Sequence, residues 1–321
     1  MPKVFISRKI IDAGIKMLVD KGYEVVVGSE EIAPQEEVRE KARGADAIIA
    51  VIGQKIDGTV MEAAGPQLKI IASYAVGVDH IDLNEAKKRH IIVTNTPGSN
   101  ANCVAEHTLG LILDICHRIT ESDRFTRRGL FKGWGPELLL GDEISNNILG
   151  IVGLGQIGQR VAKICRQGFS MTVYYYDVKR NESLEKELGL IYFPVIEEML
   201  KVVDILTLHV PLLDSTRHLI NKERMALMKP GAYLINTCRG PVIDEIALVE
   251  ALKNKKLRGA ALDVYEQEPL LTPGLAELEN VVLTPHTAAA SYEARLMMAQ
   301  MAVDNVMAVL EGRPPLNPIN I

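Results

Sequence analysis

Three closely spaced glycines, Gly153, Gly155 and Gly158, constrain the fold of this chain more than any other feature. They lie between an apolar run typical of a buried strand and a stretch whose apolar residues recur at helical spacing. The spacing predicts a strand–turn–helix unit. Its first glycine permits a tight turn, its second lets the backbone approach a pyrophosphate, and its third lets the helix pack on the strand. The free amides at the start of such a helix favour an anion.

Short apolar strands alternate with helices on both sides of this motif. Strands are predicted at 3–7, 23–28, 45–52, 68–76, 91–96, 149–153, 171–176, 204–210, 232–237, 258–264 and 281–284. A long helical stretch from residue 101 separates the two series, and a final helix is predicted at 291–312. This alternation implies parallel, doubly wound sheets. Because a chain of 321 residues is longer than a single hydrophobic core usually supports, we expect two α/β domains.

The first strand after the glycine motif ends at Asp177, 19 residues beyond Gly158. A carboxylate in that position accepts the ribose hydroxyls of an adenosine and repels a 2′-phosphate, so the pattern predicts NAD rather than NADP. The alternative is that Asp177 is only a turn residue at a strand end. Lys179 and Arg180 follow it and can weaken the preference.

Three charged residues, Arg239, Glu268 and His286, follow later strands in succession. Open α/β sheets bind ligands at the carboxyl ends of their strands. Arginine binds a carboxylate through two parallel hydrogen bonds, and histidine, with an ordinary pKa of about 6.5, exchanges a proton near neutrality. A neighbouring carboxylate stabilises the imidazolium. Each residue alone is more often a solvated or turn residue. Together, downstream of a dinucleotide motif, they predict hydride transfer onto a carbonyl.

Charge and composition exclude several other classes. The net charge is −5 and no basic stripe is present, so we expect no nucleic-acid partner. No apolar run reaches the ~18 residues of a membrane helix, and the first residues lack the apolar core of a signal peptide. The four cysteines form no C-x-x-C pair, which argues against a zinc site and a disulfide framework and favours a reducing cytoplasm, and we expect no metal.

Seven motifs, taken in order, resemble the D-isomer-specific 2-hydroxyacid dehydrogenase family. They are YAVGVDHID (74–82), NTPGSNANCVAEHT (95–108), GIVGLGQIG (150–158), HVPL (209–212), LINTCRG (234–240), LDVYEQEP (262–269) and TPHTA (284–288). The resemblance implies a discontinuous, flavodoxin-like substrate-binding domain, residues 1–100 plus 292–321. It also implies an inserted Rossmann NAD-binding domain, residues 101–291.

The resemblance also implies roles for individual residues. Arg239 would bind the 2-oxo acid and polarise its carbonyl, while Glu268 would pair with His286, which protonates the alkoxide. The backbone amides of Val76 and Gly77 would hold the substrate carboxylate. Contacts to NAD are implied for Thr108, Gly153, Gly155, Gln156, Ile157, Gly158, Asp177, Pro211, Thr216, Cys238 and Asp263. Where Cys238 lies, the family usually has Ala or Ser, so we interpret it as a small spacer.

Several segments are most similar to glyoxylate and hydroxypyruvate reductases, which favours a small 2-oxo acid as substrate. A phosphoglycerate dehydrogenase without a regulatory domain is the second interpretation, although its phosphate-binding loop here holds only Lys55. An NAD-sensing corepressor-type binding protein is a third, because fold alone does not prove catalysis. Trp134 is either a buried anchor or a substrate-binding residue that reaches the partner's active site. The second alternative predicts a homodimer in which residues 101–148 pack across the two-fold axis.

Overall fold

Residues 1–320 are described by a computed structural model. Strands, numbered in chain order, are β1 (Lys3–Ile6), β2 (Glu24–Val27), β3 (Ala47–Ala50), β4 (Ile70–Ser73), β5 (Ile92–Thr94), β6 (Ile148–Val152), β7 (Thr172–Tyr176), β8 (Ile191–Tyr192), β9 (Ile205–Leu208), β10 (Ala232–Asn236), β11 (Leu257–Leu262) and β12 (Val281–Leu283). The chain divides into a first unit, residues 1–100 and from Ala290 onward, and a second unit, Ala101–Ala289.

Helices are numbered in the same way. They are α1 (Asp12–Asp20), α2 (Gln35–Ala42), α3 (Gly58–Ala64), α4 (Leu83–Lys88), α5 (Ala101–His117), α6 (Ile119–Arg127), α7 (Gln156–Gly168), α8 (Glu182–Leu188), α9 (Ile196–Leu200), α10 (Lys222–Leu227), α11 (Glu245–Lys253) and α12 (Tyr292–Leu310). Helix α12 belongs to the first unit although it ends the chain's regular structure.

The first unit has a five-stranded parallel sheet in the order β2-β1-β3-β4-β5. This is the flavodoxin-like order, so the predicted class is confirmed for this unit. Alternate residues of β1 enter different cores, since Phe5 packs with α2 and α3 residues while Val4 and Ile6 pack with α12 residues. Both faces of the sheet are therefore covered, which explains why its strands are apolar runs.

The second unit has a seven-stranded parallel sheet in the order β12-β11-β10-β9-β6-β7-β8. Counted from β6, this is the Rossmann order with one further strand, and it confirms the predicted doubly wound class. The strand order reverses between β9 and β6, which are hydrogen-bonded neighbours. Ligands of open α/β sheets bind at such a reversal, beyond the carboxyl ends of the strands.

The long helical stretch predicted from residue 101 is two helices. Arg118 has a left-handed backbone, with φ of 58°, and separates α5 from α6. The Asp114 carboxylate accepts hydrogen bonds from the Thr120 N–H at 2.7 Å and from its hydroxyl at 2.5 Å, so a side chain of α5 caps α6. No glycine or proline marks this break, so the sequence carries no local signal that one helix ends there and another begins.

Candidate active site

The glycine turn connects β6 to α7. Gly153 has φ of 95°, and a Cβ there would lie 2.7 Å from the carbonyl oxygen of His209, so only glycine fits. A Cβ on Gly158 would lie 2.2 Å from the Gly153 oxygen, which keeps α7 close to the turn. A Cβ on Gly155 would meet no atom within 4 Å, so this residue faces open space.

The amino end of α7 offers unpaired backbone amides to that space. Gly155 precedes the helix and contributes no side-chain cap, while Gln156 is exposed and Ile157 half-buried. Backbone N–H groups and the positive end of a thirteen-residue helix dipole attract an anion. The residues present therefore fit the pyrophosphate of a dinucleotide, on the edge where the strand order reverses.

Asp177 follows β7 and is tied to the same turn. Its Oδ2 accepts a hydrogen bond from the Leu154 N–H at 2.7 Å, and its Oδ1 accepts one from the Lys179 N–H at 3.1 Å. A carboxylate has about four acceptor positions, so two positions remain for ribose hydroxyls. These bonds fix the carboxylate beside the predicted pyrophosphate position.

Arg180, which follows Asp177 closely, is bound by other side chains of this unit. Its Nη2 lies 2.8 Å from Glu185 Oε2, and its guanidinium lies over the Tyr192 ring, 5.6 Å from the centroid. The Tyr175 hydroxyl donates to the same Glu185 carboxylate at 2.7 Å. These hydrogen bonds, with that of Arg180 the strongest, lower the pKa of Glu185 to about 2. Arg180 is thus held by an anion of this chain.

Glu268 and His286 form a hydrogen-bonded pair, as the resemblance implied. His286 Nδ1 lies 2.8 Å from Glu268 Oε2. The His286 side chain is 28% exposed and that of Glu268 is 33% exposed. The other carboxylate oxygen, Oε1, accepts the Tyr265 N–H at 3.0 Å. Glu268 therefore orients the imidazole while the ring remains accessible to a ligand.

The Glu268 carboxyl remains ionised through the neutral range. Partial burial alone raises its pKa, but the hydrogen bond and charge of His286 and the Tyr265 N–H outweigh that effect. The charge of Arg239 contributes in the same direction, and the net pKa lies below the ordinary value. An ionised carboxylate fixes the proton of the imidazole on Nδ1, so Nε2 is the nitrogen that can exchange a proton with a substrate.

The loop that carries Arg239 is held against the Glu268 loop. The buried Asn236 donates from Nδ2 to the Arg239 carbonyl at 2.9 Å, and its Oδ1 accepts the Cys238 N–H at 3.0 Å. A Cβ on Gly240 would overlap the carbonyl group of Tyr265, at 1.9 Å, so glycine permits this close approach. Arg239 and Glu268 are thereby brought into one region of the second unit.

Asp263 holds the loop that carries His286. Its carbonyl accepts the His286 N–H at 2.9 Å. Its fully buried carboxylate accepts the Thr287 and Ala288 N–H groups, each at 2.8 Å, and the Thr284 hydroxyl at 2.6 Å. This carboxylate therefore supports the loop in addition to any contact with a cofactor.

The remaining predicted cofactor contacts lie within the second unit. The Thr108 hydroxyl is buried and donates to the Val104 carbonyl at 2.7 Å. The Thr216 hydroxyl donates to the Pro211 carbonyl at 2.7 Å and so shapes the loop after β9. Burial raises the pKa of Cys238 to about 11, and a protonated thiol of this kind is consistent with a spacer.

Two of the predicted substrate contacts, Val76 and Gly77, lie in the first unit, where they follow β4. A third, Trp134, lies in the second unit and is 85% exposed, so its interpretation as a buried anchor is wrong. Its aromatic ring packs too little to stabilise the segment around it.

Residues 1–320 contain no group of three or more His, Cys, Asp or Glu side chains arranged to hold a metal ion. In the same residues, no helix combines the length and apolar character needed to cross a bilayer.

Comparison with known proteins identifies the family. Residues 109–288 match the family model described as the NAD-binding domain of D-isomer-specific 2-hydroxyacid dehydrogenases. The chain belongs to this family. It is 46% identical to a glyoxylate reductase of Thermofilum pendens, over 99% of this chain and 94% of that protein.

Solved structures of the 2-hydroxyacid dehydrogenase fold agree with this assignment. A protein from Thermus thermophilus superposes with a TM-score of 0.92 at 42% identity, covering 99% of this chain and 100% of that one. An NADPH-dependent glyoxylate/hydroxypyruvate reductase from Sinorhizobium meliloti, in complex with NADP and malonate, superposes with a TM-score of 0.88 at 31% identity. That match covers 99% of this chain and 96% of the reductase.

Sequence reasoning misses the supporting residues of this dehydrogenase. Asn236 and Thr284 each lie in a predicted strand and in a motif of the family, but the sequence predicts no supporting role for either. His107 also carries no signal of its own, although its Nε2 lies 3.1 Å from the Thr284 hydroxyl. Their partners lie far away in the sequence, and no local pattern signals such contacts. The one available signal is polarity at a position that the strand pattern predicts to be buried.

Proposed function

We propose that this dehydrogenase uses NADH to reduce a small 2-oxo acid, such as glyoxylate or hydroxypyruvate, to the D-2-hydroxy acid. The observation that carries the proposal is the 2.8 Å contact between His286 and Glu268, in a unit with a dinucleotide-binding turn. The glyoxylate reductases among its relatives support this substrate class.

Each polar group has a separate role in the proposed reaction. Arg239 binds the substrate and polarises its carbonyl, because a guanidinium stabilises the negative charge that develops on oxygen. His286 donates a proton from Nε2 to that oxygen, while Glu268 stabilises the imidazolium before the transfer. A bound NADH supplies the hydride. The amides of Val76 and Gly77 bind the substrate carboxylate.

NAD rather than NADP is the proposed cofactor, although the reductase from S. meliloti is NADPH-dependent. Asp177 is oriented by two backbone amides, and its charge would repel a 2′-phosphate. Arg180, which could bind such a phosphate, is instead paired with Glu185. Thr108, Pro211, Thr216, Cys238 and Asp263 complete the proposed cofactor contacts.

We also propose that the enzyme is a cytoplasmic homodimer in which Trp134 reaches the partner's active site. All four cysteines are free thiols, as expected in a reducing compartment. Trp134 is exposed in one chain, so it is available to a second copy.

A substrate panel tests the reaction. Glyoxylate, hydroxypyruvate, phosphohydroxypyruvate, pyruvate and 2-oxoglutarate are each supplied with NADH and with NADPH, and the loss of reduced cofactor is followed by absorbance. We expect the highest kcat/KM with glyoxylate or hydroxypyruvate and NADH. The matched variant His286→Ala should lower kcat by about 10²–10⁴-fold while NADH binding is retained.

Each competing interpretation has its own outcome in this panel. A preference for phosphohydroxypyruvate would identify a phosphoglycerate dehydrogenase. Tight NADH binding without turnover of any acid would identify a corepressor-type binding protein. Equal kcat/KM with NADH and NADPH would contradict the proposed preference for NADH but not the proposed reaction.

A further inference from the structure

Two neighbouring carbonyl groups in the loop after β4 are held by one short segment of the first unit. The Ala75 carbonyl accepts the Thr96 N–H at 3.0 Å. The Val76 carbonyl accepts a hydrogen bond from the Asn95 side chain, through Nδ2, at 2.8 Å. Residues 95–96 therefore contact two consecutive peptide units of the loop.

Holding a carbonyl also orients the next amide. A trans peptide is planar, and its N–H points opposite to its C=O. The bond to the Ala75 carbonyl thus directs the Val76 N–H away from residues 95–96, and the bond to the Val76 carbonyl does the same for the Gly77 N–H. Neither amide donates to another group among residues 1–320. Both remain available as donors for an external acceptor.

A third bond secures the end of this loop. The Ser73 hydroxyl, on a fully buried side chain, donates to the Gly77 carbonyl at 2.9 Å. The loop therefore has little freedom to rotate its peptide planes, and its amides are oriented before a ligand arrives.

Asn95 is itself held by residues near the end of the chain. Its N–H donates to the Asn317 carbonyl at 3.2 Å, and the adjoining Thr94 bridges to Pro318. The fully buried Asn305 of α12 accepts the Asn317 N–H at 3.0 Å through Oδ1. Because the Asn95 backbone is bound to Asn317, and Asn317 is in turn bound to the buried Asn305, the Asn95 side chain has a defined position from which to hold the loop.

We propose that Asn95 is a positioning residue that directs the Val76 and Gly77 amides at the substrate carboxylate. This inference rests on the proposed function, in which those amides bind the acid. Two oriented N–H groups form charge-assisted hydrogen bonds with a carboxylate but weaker bonds with a neutral ester. Asn95 thereby determines the preference of the enzyme for 2-oxo acids over neutral 2-oxo compounds.

The test compares glyoxylate with its methyl ester, using wild type, Asn95→Ala and Asn95→Asp. Aspartate has the size of asparagine but, when ionised, cannot donate to the Val76 carbonyl. We expect KM for glyoxylate to rise about tenfold in Asn95→Ala and further in Asn95→Asp, with a smaller change in kcat. Activity on the ester and KM for NADH should remain near wild type.

The acid-to-ester ratio of kcat/KM separates positioning from general damage. A merely structural defect would lower activity on both substrates and leave that ratio unchanged, which would overturn the inference. Asn84→Ala, at an exposed position of α4 in the same unit, is the matched control and should retain the wild-type ratio. A wild-type enzyme that reduces no 2-oxo acid would overturn the proposed function, and this inference with it. An active wild type with unaltered Asn95 variants would overturn this inference alone.

Discussion

His286 combines a reactive side chain with an unusual backbone. Its φ of 54° lies in the left-handed region, which costs a non-glycine residue about 1–2 kcal/mol. The bonds that Asp263 accepts from His286, Thr287 and Ala288 offset that cost. The direction of the imidazole therefore depends on one buried carboxylate as well as on Glu268.

At this scale we predict that Glu268→Gln changes the low-pH limb of 2-oxo acid reduction. The pKa of Glu268 lies below its ordinary value, so the wild type should lose activity only when acid protonates this carboxylate. A neutral glutamine has no such proton to gain, so this limb should disappear, and the maximum rate should fall by about 10²-fold because His286 loses its carboxylate partner. The pH–rate profile measures both effects. A low-pH limb identical to that of wild type would show that Glu268 does not support the proposed proton donor.

The proposed reacting residues, Arg239, Glu268 and His286, could be suggested from the sequence because each follows a strand, and strand ends of a parallel sheet meet at one edge. Asn95 could not, since the sequence predicts it only as a member of the strand at 91–96 and of the motif at 95–108. Its proposed role depends on a contact with Val76, nineteen positions earlier in the chain. Sequence patterns report local periodicity, whereas such contacts arise only when separate strands are brought side by side.

The elements themselves follow closely from the sequence. Buried strands such as β3 and β9 are short apolar runs, and their positions are predicted to within a few residues. Strand β8, Ile191–Tyr192, is missed because two residues carry no periodicity. These two residues form a strand because they pair with β7, which their own sequence does not indicate.

The turn between β6 and α7 leads to a prediction at the element scale. Gly153→Ala places a Cβ 2.7 Å from the His209 carbonyl oxygen at a φ of 95°, so the turn must shift. We expect the affinity for NADH to fall at least about tenfold, because the amides of α7 lose their alignment. Titration of NADH fluorescence provides the measurement.

Gly168→Ala is the matched control for that experiment. Gly168 ends the same helix, and a Cβ there would meet no atom within 4 Å, so NADH affinity should be unchanged. If both variants bound NADH like wild type, the glycine turn would not form the cofactor site.

The whole molecule exposes an unusual concentration of apolar side chains in one segment. These exposed residues are Leu130, Phe131, Trp134, Leu138 and Leu140. Exposed apolar side chains concentrated in one segment commonly mark a protein–protein contact. It favours the homodimer proposed above, with the segment packed against a second copy.

We predict that light scattering at micromolar concentration gives twice the mass of one chain, and that Phe131→Glu shifts the enzyme to monomer. A charge in the contact would remain buried without a partner, which is costly. Val19→Glu is the control, since Val19 is 53% exposed and Phe131 55% exposed. A wild-type monomer would remove the support for Trp134 in the partner's active site.

The place of α12 in the first unit affects how the chain folds during its synthesis. Met298 and Val303 of this helix pack with Val4 and Ile6 of β1, and the Tyr74 hydroxyl donates to the Arg295 carbonyl at 2.8 Å. A ribosome delivers the first hundred residues long before this helix. The part of the sheet's apolar face that α12 covers therefore stays exposed while the entire second unit emerges and folds, which leaves the nascent chain prone to aggregation until this helix is complete.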